Sequence, residues 1–157
     1  MNIRSLLLVV LYRHREPITA TKLQKLLFLL KREDGIDANV AFVPHKFGPY
    51  SQMVTETTER LESEGLLSTD RKPNMSIGET DSSFGRAICL TSEGIHRAEI
   101  AYSLMQDVDK RKLDYQIGRW SGKPLASLIL YVYLTYPDMT EKSVIRNKFR
   151  REIAVPE

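Results

Sequence analysis

Only one cysteine, Cys89, stands among 157 residues, which excludes an internal disulfide and any zinc site built on several thiolates. Its position between Ile88 and Leu90, in a strand pattern, is that of a buried, inert thiol. Long hydrophobic runs are missing as well. The longest, Leu6 to Tyr12, falls far short of the roughly 20 residues that span a bilayer. No small-residue cleavage site follows it, so a cytoplasmic protein that does not enter membranes is expected. Histidine is scarce: His14, His45 and His96 fall in separate segments. Without a His-x-x-x-His pair, a Gly-x-Gly-x-x-Gly turn or a P-loop, no cofactor and no metal is expected. Pro137-Asp138 opens like a nuclease motif, yet only the adjacent Glu141-Lys142 follows, not a second carboxylate with a lysine two residues on. The chain is therefore expected not to be an enzyme.

What is present is ordinary in amount and uneven in distribution. Hydrophobic residues make up 42% and charged residues 27%, the balance of a globular protein of one domain with an appendage. The net charge of +3 comes from the last third. Residues 108–157 hold ten basic groups against six acidic ones, whereas residues 1–67 hold nine against eight. Arg146, Lys148, Arg150 and Arg151 form one basic cluster, and Lys110, Arg111 and Lys112 another.

Hydrophobic spacing predicts helices over Asn2 to Arg13 and from Thr21 to about Asp34. Thr21 with Gln24 has the form of a capping box, and Gly35 that of a C-terminal glycine. Leu23, Leu26, Leu27 and Leu30 form the main stripe of the second helix, and Phe28 and Leu29 widen it, so two faces should be buried. A connection from Gly35 to Gly48 follows, too long for a plain helix-turn-helix, with Val40, Phe42 and Phe47 suggesting an extended segment. Gly48-Pro49 is then expected to turn the chain into a third helix, Ser51 to Glu64, capped by Ser51 and stopped at Gly65. Strands near Leu66 to Thr69 and Arg86 to Leu90 enclose a polar tip. A fourth helix starts at Thr91 or Ser92, with apolar positions Ile95, Ala98, Ala101, Leu104 and Met105. Helix, helix, helix, strand, strand, helix is the winged-helix order. The expected fold is thus mainly α with a small β-hairpin, a winged-helix-like domain over residues 1–108. A helical extension, 109–157, packs on it: Asp109 to Arg119, Leu125 to Tyr136 with Pro124 in the first turn, and Glu141 to about Arg151.

Leu23-Gln24-Lys25-Leu26-Leu27-Phe28-Leu29-Leu30, Phe47-Gly48-Pro49-Tyr50-Ser51 and the helix end Leu61-Glu62-Ser63-Glu64-Gly65-Leu66-Leu67 resemble the YwgA-like proteins and the related Panacea domain of SocA-like antitoxins. Leu130-Tyr131-Val132-Tyr133 and Tyr136-Pro137-Asp138, with Thr140 and Ser143, look like the end of the YwgA-type pattern. The resemblance implies a mainly helical domain of winged-helix character without a cofactor. For antitoxin-like members it also implies binding to a partner protein, sometimes with regulation of transcription.

Two binding surfaces follow from the residues themselves. His45, Lys46 and Tyr50 in the loop, beside Glu56 and Glu59 on the third helix, would receive a protein partner through an aromatic anchor and single-sign charge. The bland alternative for the loop is that Gly48 and Pro49 merely set the angle at which the third helix begins. If DNA is the partner, Arg71 and Lys72 in the wing or Arg146, Lys148, Arg150 and Arg151 would carry the contact, because Glu56, Glu59, Glu62 and Glu64 on the third helix repel phosphates. A regulatory or adaptor protein that binds another protein is the first expectation, with an antitoxin-like role as its sharper form. A winged-helix transcription regulator is the alternative, and a homodimer is compatible with either.

Overall fold

The computed structural model describes residues 1–70 and 86–140. It runs α1 (Ile3–His14), β1 (Ile18–Thr19), α2 (Ala20–Asp34), β2 (Val43–His45), β3 (Gly48–Tyr50), α3 (Gln52–Ser63), β4 (Leu67–Asp70), β5 (Ala87–Leu90), α4 (Ser92–Ser103), α5 (Asp107–Ser121) and α6 (Leu125–Thr135), with a 3-10 turn at Pro137–Met139. The fold is mainly α with a small set of antiparallel strands. Among the described residues the winged-helix order is present from α1 to α4, with two additions. β1 joins the sheet in the order β1-β5-β4, Ile18 pairing with Ile88 and Thr69 with Ile88 from the other side. The second addition is the ribbon β2-β3. The tip of the β4–β5 hairpin and the expected last helix, with Arg71, Lys72, Arg146, Lys148, Arg150 and Arg151, lie outside the described residues.

Caps fix most helix starts. Asn2, Ser51 and Thr91 accept from the backbone N–H three residues on, as N-cap side chains do. The start of α2 corrects the sequence reading: Thr19, not Thr21, is the cap, its hydroxyl accepting from Lys22 N–H. Thr21 is inside the helix, and Gln24 is engaged elsewhere, as described below. Gly35 closes α2 at φ 69, a left-handed backbone that glycine adopts without cost. Pro124 is the N-cap of α6 rather than a residue of its first turn.

The core forms around α2. Every residue from Thr21 to Leu30 is buried, because α5, α6, the ribbon and β1 close on it from different sides. Leu26 and Leu27, from the stripe expected on the second helix, share one apolar cluster with Leu61 and Ile88. Leu113, Ile117, Trp120, Leu128 and Val132 belong to that same cluster, so α5 and α6 complete the core that α1 to α4 begin. In α4 only part of the expected stripe is inside. Ala98 and Met105 are buried, whereas Ile95 is 41% and Leu104 79% exposed, since α4 meets α1 along one narrow side.

Two polar networks tie the late helices to the early ones. Glu33 on α2 accepts the hydroxyls of Tyr131 and Tyr136 at 2.5 and 2.6 Å. It also accepts from Gln116 and Arg119 at 3.1 and 3.2 Å. Burial alone would raise this carboxyl, but the two tyrosines, Gln116 and Arg119 together hold it below the usual range. On the other side Asp114 accepts from Arg13 Nε at 2.7 Å and from Tyr102 at 2.6 Å, joining α1, α4 and α5. Asp138, of the nuclease-like Pro-Asp pair, faces Arg32 at 3.4 Å.

Candidate functional site

The two motifs singled out in the sequence, one on α2 and one leading into α3, meet in space. Gln24 and Lys25 form one buried polar step on α2, and each takes hold of the backbone of the ribbon or its exit. The Gln24 side-chain amide accepts from Ser51 N–H at 2.9 Å and donates to Ser51 C=O at 3.0 Å, pairing with the backbone as a neighbouring strand would. It also reaches Thr55 Oγ1 at 3.3 Å. Lys25 Nζ donates to the carbonyl of Pro49 at 3.2 Å. Lys25 is only 2% exposed and has no carboxylate partner among the described residues. Burial therefore pushes its amine down to about 7.

The ribbon itself is shaped by Gly48 and two prolines. Pro44 faces Pro49, a pairing in which neither residue has an N–H to offer and none is required at a non-hydrogen-bonded position. Gly48 has φ 99, and a Cβ there would stand 3.3 Å from Tyr133 and 3.4 Å from Lys25 Cε. Gly48-Pro49 is thus strand, not turn. The chain reverses one step earlier, at Lys46-Phe47.

His45, Lys46 and Tyr50 come together here as expected. The His45 and Tyr50 rings stack at 4.5 Å, 24° apart, and the Tyr50 hydroxyl reaches Thr55 at 2.8 Å and Gln52 at 3.0 Å. With Thr21, Gln24, Lys25 and Phe47 they border a pocket of about 260 Å³. Glu56 and Glu59 lie on the adjoining solvent face of α3. They form no ion pair among the described residues, whereas Glu64 is held by both Arg4 nitrogens at 2.9 and 2.7 Å. A second concavity, about 280 Å³, opens between α2, α3 and the sheet. Leu23, Val54 and Ile88 form its floor, and Glu59, Glu62 and Arg86 its rim.

Of the groups that matter here, Gln24 and Lys25 were not assigned from sequence. The signal was available: Lys25 stands one turn before Phe28 and Leu29, which were expected to widen the buried face, so its side chain had to enter the interior too. Cys89 departs from expectation in the other direction. It is half-buried, beside Ser68 Oγ at 3.1 Å, because on the short strand β5 its face is covered less fully than that of Ile88.

Among the described residues no group of three His, Cys, Asp or Glu side chains gathers to hold a metal, and no helix is long and apolar enough to cross a membrane. Comparison with protein-family models and with curated proteins returns no match.

Proposed function

We propose that the protein works by binding rather than catalysis, as a regulatory or adaptor protein that receives a basic segment of a partner protein on the ribbon β2-β3 and the acidic face of α3. One observation carries the reading: among the described residues Glu56 and Glu59 form no ion pair, and they stand on α3 beside a concavity whose floor is apolar and whose rim sets two carboxylates, Glu59 and Glu62, against one cation, Arg86. A lysine or arginine of a partner fits such a surface, laying its aliphatic stem on Leu23 and Val54 and its charge against Glu59 and Glu62. The ribbon supports the same use. Anchored by Gln24 and Lys25, it offers the stacked His45-Tyr50 pair and Lys46 without an ordering cost at binding. An antitoxin-like role in the cytoplasm, as the resemblance to YwgA-like and Panacea proteins implies, is the specific form of this proposal.

A DNA-binding regulator is the second reading, supported by the winged-helix order. Three carboxylates on the exposed side of α3, Glu56, Glu59 and Glu62, oppose it, since each would meet phosphate repulsion in the major groove. Pull-down from host lysate separates the surfaces. Proteins captured by the wild type should be lost with Glu56→Lys/Glu59→Lys and kept with Lys148→Glu/Arg150→Glu, circular dichroism showing both variants folded. The reverse pattern moves the interaction to the C-terminal basic cluster and ends this proposal.

A further inference from the structure

The pocket beneath the ribbon has a chemistry that the acidic partner surface does not use. Its lining is made of donors and rings: Thr21, Lys25, Lys46 and Tyr50, with His45 and Phe47, and no carboxylate among them. One wall is Lys25, whose side chain is almost wholly buried. An ammonium group has three N–H donors, and among the described residues one of them is used, on the Pro49 carbonyl at 3.2 Å. No counter-ion lies within ion-pair distance among the described residues. A buried cation in that setting is expensive unless paired. The first turn of α2, Ala20 and Thr21, also borders the space, and the positive end of a helix dipole favours an anion there. Above, Gly48 keeps the ribbon close to Lys25 without filling the gap, since a Cβ would reach contact distance of Lys25 Cε.

We propose that this pocket is a binding site for a small organic carboxylate, whose oxygens pair with Lys25 and whose apolar part lies against Phe47 and the His45 ring. A monoanion is favoured over phosphate because the enclosed part of the site supplies one cationic group, Lys46 being exposed at the mouth. A volume of about 260 Å³ admits a group the size of a benzoate or of one terminal residue of a peptide. The site stands whether or not a protein docks on α3.

Binding is coupled to a proton. Among the described residues, the ionisable side chains that border the pocket with Lys25 are His45, Lys46 and Tyr50, Tyr133 of α6 approaches Gly48 from the other side, and no carboxylate borders the space. The bound carboxylate supplies the negative charge, so the site takes up a proton as it fills. Affinity for benzoate should be flat below about pH 7 and fall by up to about tenfold per pH unit above it.

Isothermal titration calorimetry with benzoate, benzamide and inorganic phosphate on the full chain tests this. Benzoate is expected to bind at least about tenfold tighter than its neutral isostere benzamide and tighter than phosphate, with proton uptake visible from buffers of different ionisation heat. Lys25→Met should abolish the preference, and His45→Ala should weaken binding less. A short peptide binding tighter with a free than with an amidated C-terminus would identify a chain end as the source. Benzoate alone binding would identify a free acid. In case Lys25→Met does not fold, NMR of the wild-type Lys25 Cε and Nζ signals decides, because saturating benzoate must shift their titration to higher pH. An unmoved titration, benzamide or phosphate binding as tightly as benzoate, or undiminished binding to folded Lys25→Met overturns the proposal.

Discussion

Lys25 shows how much one side chain can impose on its surroundings. Its amine, pushed down to about 7 by burial, lies below the roughly 10.4 of an unfolded lysine. Between those values the unfolded chain holds a proton that the folded chain has released, so this residue makes stability rise with pH from about 7 to 10 and depresses it most below pH 7. Lys25→Met keeps the stem and removes the titration, but leaves the Pro49 carbonyl without its donor, a loss of about 1–3 kcal/mol. Urea unfolding should therefore find the variant at least as stable as the wild type at pH 6 and less stable at pH 10. A difference that does not change with pH would show that Lys25 is charged inside the fold. The burial of this residue was readable from helical periodicity. Its partner was not, because no local rule connects a lysine on α2 to a carbonyl twenty-four residues on.

Among the elements, those with strong periodicity or a clear cap were legible: α1, α2, α3, α5 and α6 lie within two residues of their expected bounds, and α4 begins where expected. The ribbon β2-β3 was not. Val43-Pro44-His45 has no alternation and a proline within it, which normally argues against a strand. It forms because the two prolines face each other and because Gln24 and Lys25 hold its exit to α2. β1 was also missed, two residues being too few to carry a pattern. At the junction of sheet and helix, Gly94 sits in the first turn of α4, where a Cβ would come within 2.0 Å of the Leu66 carbonyl oxygen. That oxygen also accepts from Thr91 N–H at 3.1 Å and cannot move away freely. Gly94→Ala, usually favourable in a helix, should instead lower stability by several kcal/mol, on the order of a severe overpacking. Thermal unfolding measures it, and an unchanged midpoint would mean that α4 can slide along α1.

For the whole molecule, the charge distribution sets how nucleic acid would be met. The basic excess lies in residues 108–157 while α3 presents carboxylates, so duplex DNA should bind weakly, with strong salt dependence and little sequence preference. Gel shifts at two salt concentrations check this. Tight binding to a single site that is lost with Gln52→Ala or Thr55→Ala would return α3 to a reading role. The central place of α2 has a different consequence, one that concerns synthesis. α2 is buried on nearly every side from Thr21 to Leu30 and carries the six apolar side chains Leu23, Leu26, Leu27, Phe28, Leu29 and Leu30, and part of its cover, α5, begins ~70 residues after α2 ends. At typical ribosomal speeds the nascent chain therefore carries this sticky helix for roughly 4–15 s before α5 is made. Throughout that interval it is a natural client for chaperones at the tunnel exit.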